Sequence, residues 1–233
     1  MNTDATSHRD GSIPPLDYYQ GESGARYFEW QRGLGEWTGH ILAVLFGPHI
    51  SPQDDVFDFG CGGGYLLKAL HARRKVGLDV NPAALKECHR NGIETVSDLA
   101  QVPTASFDIV ISNHALEHTF APAQSLRELR RILRPGGRLA LCTPVDDWRV
   151  YRSFDPDDVH HHLFTWTPQN MGNLLRECGF RVEQIEIFAS AWPPKARALE
   201  SMFGLRVFGF LCRIWGHVIR YRQLFAKARV PHE

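Results

Sequence analysis

The sequence predicts an α/β fold, a doubly wound and mostly parallel sheet with helices on both faces. Three observations carry that expectation. Short apolar runs alternate with helix-compatible segments from residue 56 to residue 188, the pattern of parallel strands joined by crossover helices. One apolar run, residues 56–59, leads straight into Gly60, Gly62, Gly63 and Gly64, with a helix-compatible stretch immediately after. No uninterrupted apolar stretch approaches the ~20 residues needed to span a bilayer, so the apolar content belongs to a core.

The elements follow in order. Residues 1–17 are polar and close on Pro14-Pro15, a frayed lead-in, while residues 18–46 form an aromatic, helix-compatible cap with Tyr27, Phe28, Trp30 and Trp37. Gly47-Pro48 and Ser51-Pro52 break it. Residues 56–59 read as a strand, 65–73 as a helix and 75–80 as a strand. Pro82 then starts a helix as a first-turn residue. Residues 94–96 are a short strand and 107–112 a continuous apolar one. Residues 123–133 place Leu126, Leu129, Ile132 and Leu133 on one helical face. Pro135-Gly136-Gly137 turns the chain into strand 138–143. Residues 167–178 form a helix capped by Gly179, and 180–188 alternate like a strand.

Residues 195–220 are unusual. Leu199, Met202, Phe203, Phe210, Leu211, Ile214, Trp215 and Val218 recur at helical spacing, Arg206, Arg213, His217 and Arg220 share a stripe, and Glu200 is nearly the only acid. The spacing predicts a helix with its apolar face buried on the domain or on a twin subunit, as in a homodimer. A basic amphipathic helix also suits peripheral contact with an anionic membrane, or an acidic or lipid-linked substrate.

Composition bounds the function. With 233 residues the chain suits one domain, 1–233, divided into a lead-in and cap (1–50), a ligand-binding core (51–190) and a terminal helix and strand (191–233). A chain this long buries roughly 70% of its unfolded surface and needs no staple. Lys plus Arg equal Asp plus Glu at 26 each, which removes any overall electrostatic attraction to nucleic acid. The five cysteines are scattered, odd in number and never spaced as C-x-x-C, which excludes a disulfide framework and a cysteine zinc site and fits a reducing cytoplasm. The first dozen residues lack the basic start and apolar run of a signal peptide.

Glycines at a strand-to-helix turn let the backbone approach a ligand, and the helix start offers free N–H groups. A dinucleotide fingerprint would need G-x-G-x-x-G. From Gly60 its last position falls on Tyr65, and from Gly62 on Leu67, so nicotinamide binding and a dehydrogenase become the weaker reading. What is present is Asp58-x-Gly60-x-Gly62-x-Gly64. Asp79, about twenty positions on, is placed to accept hydrogen bonds from ribose hydroxyls, or else to cap the helix at Pro82.

The Asp58/Gly60/Gly62/Gly64 spacing resembles motif I of class I S-adenosylmethionine-dependent methyltransferases. Phe107-Asp108-Ile109-Val110-Ile111-Ser112-Asn113 with Leu116-Glu117-His118 resembles the fourth-strand motif of their type 11 and type 12 members. Leu129 through Gly137 resembles their helix-to-fifth-strand turn, with Asp108 and the Pro-Gly-Gly turn structural. The resemblance covers about residues 25–190. It implies a Rossmann-like seven-stranded sheet whose last strand, near residues 223–229, returns antiparallel. It also implies S-adenosylmethionine as cofactor, adenine contact at Asp98 and Leu99, and cofactor contacts from Asp58, Gly60, Cys61, Gly62, Gly64, Asp79, Val80 and Asn113.

His114, Glu117 and His118 follow the fourth strand, and His160, His161 and His162 follow the fifth. In a doubly wound sheet both strand ends flank one crevice. Methyl transfer needs an aligned nucleophile and sometimes a proton acceptor; histidine suits a hydroxyl because its pKa lies near neutrality. His118, Glu117, His161 and His114 are therefore the candidate catalytic residues, beside the bland reading of a helix-start histidine and a solvated triplet. The expected reaction is methylation of a small-molecule, glycan or lipid-linked hydroxyl, with no resident metal and no nucleic acid. Two alternatives stand: a non-catalytic sensor or partner module of the same fold, and a metal-assisted RNA ribose methyltransferase. The small-RNA enzymes hold a metal with Glu-x-x-Glu-His and a later histidine, and His114-x-x-Glu117-His118 resembles that motif with its first Glu replaced.

Overall fold

The structure, a computed structural model, describes residues 18–147, 149, 152–156, 158 and 160–232; the lead-in expected at 1–17 lies outside the described residues. Two helices, α1 (Gly21–Arg32) and α2 (Gly35–Phe46), precede β1 (Asp55–Phe59), α3 (Tyr65–Ala69), β2 (Arg74–Leu78), α4 (Pro82–Arg90) and β3 (Glu94–Val96). Then come β4 (Phe107–Asn113), α5 (Pro122–Ile132), β5 (Leu133–Val145) and α6 (Pro168–Glu177). β6 (Arg181–Ala189), α7 (Ala196–Val218) and β7 (Arg222–Arg229) finish the described fold.

The strands form one sheet in the order β3-β2-β1-β4-β5-β7-β6. Pairing is parallel from β3 to β5, and β7 runs antiparallel to both β5 and β6. This is the Rossmann-like sheet with a reversed last strand that the sequence led us to expect. Strand order reverses between β1 and β4, and ligands of such sheets bind outside the carboxyl ends of the strands at that point.

Period-two alternation sorts the core into two layers. Phe57 and Phe59 pack with Leu126, Leu129 and Met171, so α5 and α6 cover one face. Val56, Ile109 and Ile111 pack with Phe46, Leu67 and Cys88, so α2, α3 and α4 cover the other. Each fully buried Phe or Leu contributes roughly 1.5–3 kcal/mol. At the opposite sheet end Asp55 joins Arg73 (2.7 Å) and Arg134 (2.9 Å), and Arg134 also reaches Asp108 (2.6 Å). Asp108 is structural, as expected.

Three expectations need correction. The helix foreseen over 65–73 ends at Ala69, because the N–H groups of Arg73 and Arg74 turn to the Asp54 carbonyl and set β2 in register. Pro135-Gly136-Gly137 is a bulge inside β5 rather than a turn before it. Pairing slips from Phe107↔Leu133 to Ile109↔Arg138, with Gly136 at φ +75° taking up the extra chain. The inserted helix α7 is present but broken at Gly204 (φ 73°, ψ 167°). It touches the domain along Phe208, Cys212 and Gly216, while Phe203, Val207, Phe210, Ile214 and Val218 remain exposed beside the exposed Arg206, Arg213 and His217. The apolar stripe seen in the sequence is thus mostly the outer face. Close packing of Gly216 on the backbone of Ala189 and Ser190 fixes which side faces inward.

Candidate functional site

The glycine loop is built by its torsions and by β2. Gly60, Gly62 and Gly64 sit at φ +82°, +52° and +74°, conformations a β-carbon disfavours. The N–H groups of Gly60 and Cys61 both donate to the Leu78 carbonyl, at 2.8 and 2.9 Å. Asp79 accepts from the Gly62 N–H at 2.8 Å and from the Asn81 N–H at 2.9 Å. It clips the loop to the end of β2. The cap of α4 is Asn81, which accepts from the Ala83 N–H at 3.0 Å, so Asp79 is not the capping residue.

Behind the loop, burial and the negative charge of Asp79 push Asp58 up to about 8. Burial also raises Asp79, partly offset by the N–H groups of Asn81, Gly62 and Val80. Two buried carboxyl groups with no ion pair among the described residues make this part of the site suited to a positively charged ligand. Asp98 accepts from the Ala100 N–H at 2.9 Å and shares the cleft wall with Leu99. Asn113 ends β4 with a buried Oδ1 that has no hydrogen-bond partner among the described residues, the kind of atom a ligand satisfies. Cys61 lies against Cys88 (Sγ–Sγ 3.8 Å), and Val80 is exposed at the rim.

Gly64 packs behind the loop against Cys88 and Ile93, while Asp58, Gly60, Cys61, Gly62, Asp79, Val80, Asp98, Leu99 and Asn113 line a cleft of about 1490 Å³. Tyr27 and Leu34 wall it from the N-terminal helices, and Phe208 and His217 from α7. Burial and the charge of Asp79 push Tyr27 up to about 12, so it stays a neutral phenol.

The same cleft is lined by a group of histidines. Glu117 is fully buried, and neither carboxylate oxygen finds a hydrogen-bond partner among the described residues. The closest approach of His118 is Nε2 at 3.9 Å from a Glu117 carboxylate oxygen. His118 Nδ1 lies 2.8 Å from the Tyr19 hydroxyl and 3.2 Å from the His161 carbonyl. His162 Nδ1 sits 3.1 Å from Asp146. Burial pushes Glu117 up to about 8 and His118 down to about 4. Burial also pulls on His162, but the hydrogen bond and charge of Asp146 outweigh it and raise its pKa.

The histidine triplet is divided. His161 gives its carbonyl to His118, while its ring stacks on Tyr18 at 4.2 Å; the ring that joins Glu117 and His118 is His162. His114 lies apart, hydrogen-bonded to Gln223 at 3.1 Å and pushed down to about 4 by burial. Tyr19 and Asp146 went unnoticed in the sequence. Tyr19 stands 99 residues from His118, and nothing local marks either as a partner.

Residues 57–141 match the family model described as a methyltransferase domain. That domain, together with the fold, supports a class I S-adenosylmethionine-dependent methyltransferase. Among curated relatives, a tRNA U34 carboxymethyltransferase of Tolumonas auensis is 31% identical over 58% of this chain and 47% of its own length. A ubiquinone biosynthesis O-methyltransferase of Xanthomonas oryzae pv. oryzae is 28% identical over 61% of this chain and 69% of its own. The chain thus spans about half of the first relative and somewhat over two thirds of the second. Two solved structures share the fold. One was solved in complex with the Trm112 methyltransferase activator of Haloferax volcanii (TM-score 0.64, 21% identity, 94% of this chain and 99% of that one). The other is a phosphoethanolamine N-methyltransferase of Haemonchus contortus with S-adenosyl-L-methionine (TM-score 0.61, 18% identity, 95% and 61%). Among the described residues, no helix of the chain is long and apolar enough to cross a membrane.

Proposed function

We propose that this methyltransferase moves the methyl group of S-adenosylmethionine to a hydroxyl oxygen of a small-molecule or glycan acceptor. The observation that carries the reading is one cleft lined both by the clipped glycine loop and by His114, His118, His160, His161 and His162. Its volume of about 1490 Å³ exceeds the roughly 300–1,000 Å³ of common single-ligand sites, leaving room for donor and acceptor together. The sulfonium and ammonium groups of the donor suit the desolvated Asp58 and Asp79. Gly60, Cys61 and Gly62 cradle its amino-acid end, with Gly64 shaping the turn behind them, while Asp79 and Val80 face the ribose, Asp98 and Leu99 the adenine, and Asn113 meets the donor at the end of β4.

In the transfer, the acceptor oxygen attacks the methyl carbon in line. The carbon–sulfur bond breaks, its electron pair stays on sulfur, and the hydroxyl proton passes to the histidine group. Alignment supplies most of the acceleration, and His118, with Glu117 behind it and His161 and His114 on the flanking walls, handles the proton. His118→Ala should lower turnover by roughly 10²–10⁴-fold with donor affinity unchanged. The measurement is single-turnover methyl transfer to hydroxylated acceptors, followed by mass spectrometry. Transfer to nitrogen acceptors alone, or no transfer with the donor bound, would remove the hydroxyl reading.

A further inference from the structure

We infer that Glu117, His118 and His162 form a binding site for a divalent transition-metal cation at the acceptor end of the cleft. These three side chains place one ligand atom each within 4.8 Å of one another. Two imidazoles and a carboxylate are a donor set that zinc, iron and manganese accept, with positions left open for a further oxygen.

The environment of each donor points the same way. Glu117 is fully buried and none of its carboxylate oxygens accepts a hydrogen bond among the described residues. A buried carboxylate left without donors is costly, and a cation between it and the two rings removes that cost. The Tyr19 hydroxyl donates to the His160 carbonyl at 3.3 Å and so can accept from His118 Nδ1 at 2.8 Å, and the His161 carbonyl, 3.2 Å from the same nitrogen, can only accept, so a proton on Nδ1 serves both. That leaves the Nε2 lone pair on the side of Glu117. Asp146 likewise only accepts, and both its oxygens lie within 3.2 Å of His162 Nδ1, so the Nε2 lone pair of His162 is free. Metal-bound histidines characteristically carry such a partner, a carboxylate or a backbone carbonyl, on the ring nitrogen away from the ion. Here both histidines have one. His118 and His162 line the cleft while Glu117 stands behind them, so the open coordination positions face the acceptor.

In the methyl-transfer reading, on which only the ion's role rests, the cation takes the acceptor hydroxyl as a ligand and lowers its pKa. With the ion bound, His118 serves as a ligand in place of its role as proton acceptor; the hydroxyl proton leaves to solvent, and the alkoxide attacks the methyl carbon as the carbon–sulfur bond breaks.

Binding is tested without any acceptor, by titrating Co²⁺ into chelator-treated protein and recording its ligand-field absorption, with Zn²⁺ competition by calorimetry. One equivalent should bind. Affinity should fall at least tenfold in Glu117→Gln and His162→Ala, and by about 10–100-fold in Asp146→Asn, whose carboxylate only orients the ring. His71→Ala, at an exposed histidine elsewhere, should leave it unchanged. Circular dichroism of each variant checks folding, and Asp146→Asn keeps the test open if either ligand variant fails to fold. No binding by the wild type, or binding indifferent to all three substitutions, overturns the site. Methyl transfer to a hydroxyl by metal-free protein would overturn the ion's role while sparing the function. Cobalt binding without any hydroxyl transfer would do the reverse.

Discussion

Gly60→Ala separates two costs that the loop geometry imposes. Gly60 sits at φ +82°, and an added β-carbon would lie inside 3.0 Å of the Ala115 side chain. The backbone has little freedom to relax, because the N–H groups of Gly60 and Cys61 are both held by the Leu78 carbonyl. The left-handed conformation costs an L-residue about 1–2 kcal/mol, and overpacking typically about 1–3 kcal/mol. Their sum is roughly 2–5 kcal/mol, which at about 2–4 °C per kcal/mol lowers Tm by on the order of 10 °C. Ala115→Gly in the Gly60→Ala background removes the collision and leaves the torsional cost. Thermal and urea unfolding of the wild type, both single variants and the double variant close a mutant cycle. The coupling should be about 1–3 kcal/mol in favour of the double variant. A double variant no more stable than Gly60→Ala would refute the steric half, and a neutral Gly60→Ala would refute both.

Asp79→Ala should weaken S-adenosylmethionine binding by roughly 1.5–3 kcal/mol, about 10–150-fold, if its carboxylate reaches the ribose. Calorimetry reads this directly, and a folded variant with unchanged affinity would leave Asp79 only its hold on the Gly62 and Asn81 N–H groups. The hydrogen bond from Arg73, reinforced by Arg134, holds Asp55 down at about 2, below the ~3.9 of an unfolded Asp. Its stabilisation is therefore complete above about pH 4 and is lost as pH falls through about 2. With Arg73 more than half exposed, screening leaves about 1–2 kcal/mol. Urea unfolding should show Asp55→Asn less stable by that amount at pH 7, with the gap narrowing below about pH 4 and closing as pH falls through about 2; a pH-independent gap would contradict the ion-pair origin.

The sequence by itself determined the sheet and one end of its cleft. Apolar runs with β-branched and aromatic residues, and an Asp-x-Gly-x-Gly-x-Gly turn between a strand and a helix, are local signals, because torsion and periodicity act within a few residues. That is why β1, β4, α5 and the loop stood where they were expected, and why Asp79 could be singled out. Local reading failed where distant backbone decides. α3 stops after one turn because Asp54 captures the next amides, and Pro135-Gly136-Gly137 bulges within β5 because β4 pairs on both sides of it. For α7, the helical spacing of Phe210, Ile214 and Val218 showed an apolar stripe, but not which side the domain would cover. Gly216 against Ala189 and Ser190 decided that. The acceptor end was legible only as residue types. His118 and the triplet announced themselves, yet choosing His162 over His161, supplying Asp146 and Tyr19, and burying Glu117 without a donor all required segments far apart in the chain to meet, as Tyr19 and His160 do across 141 residues. Hydrogen-bond geometry and desolvation exist only between atoms that the fold has already brought together.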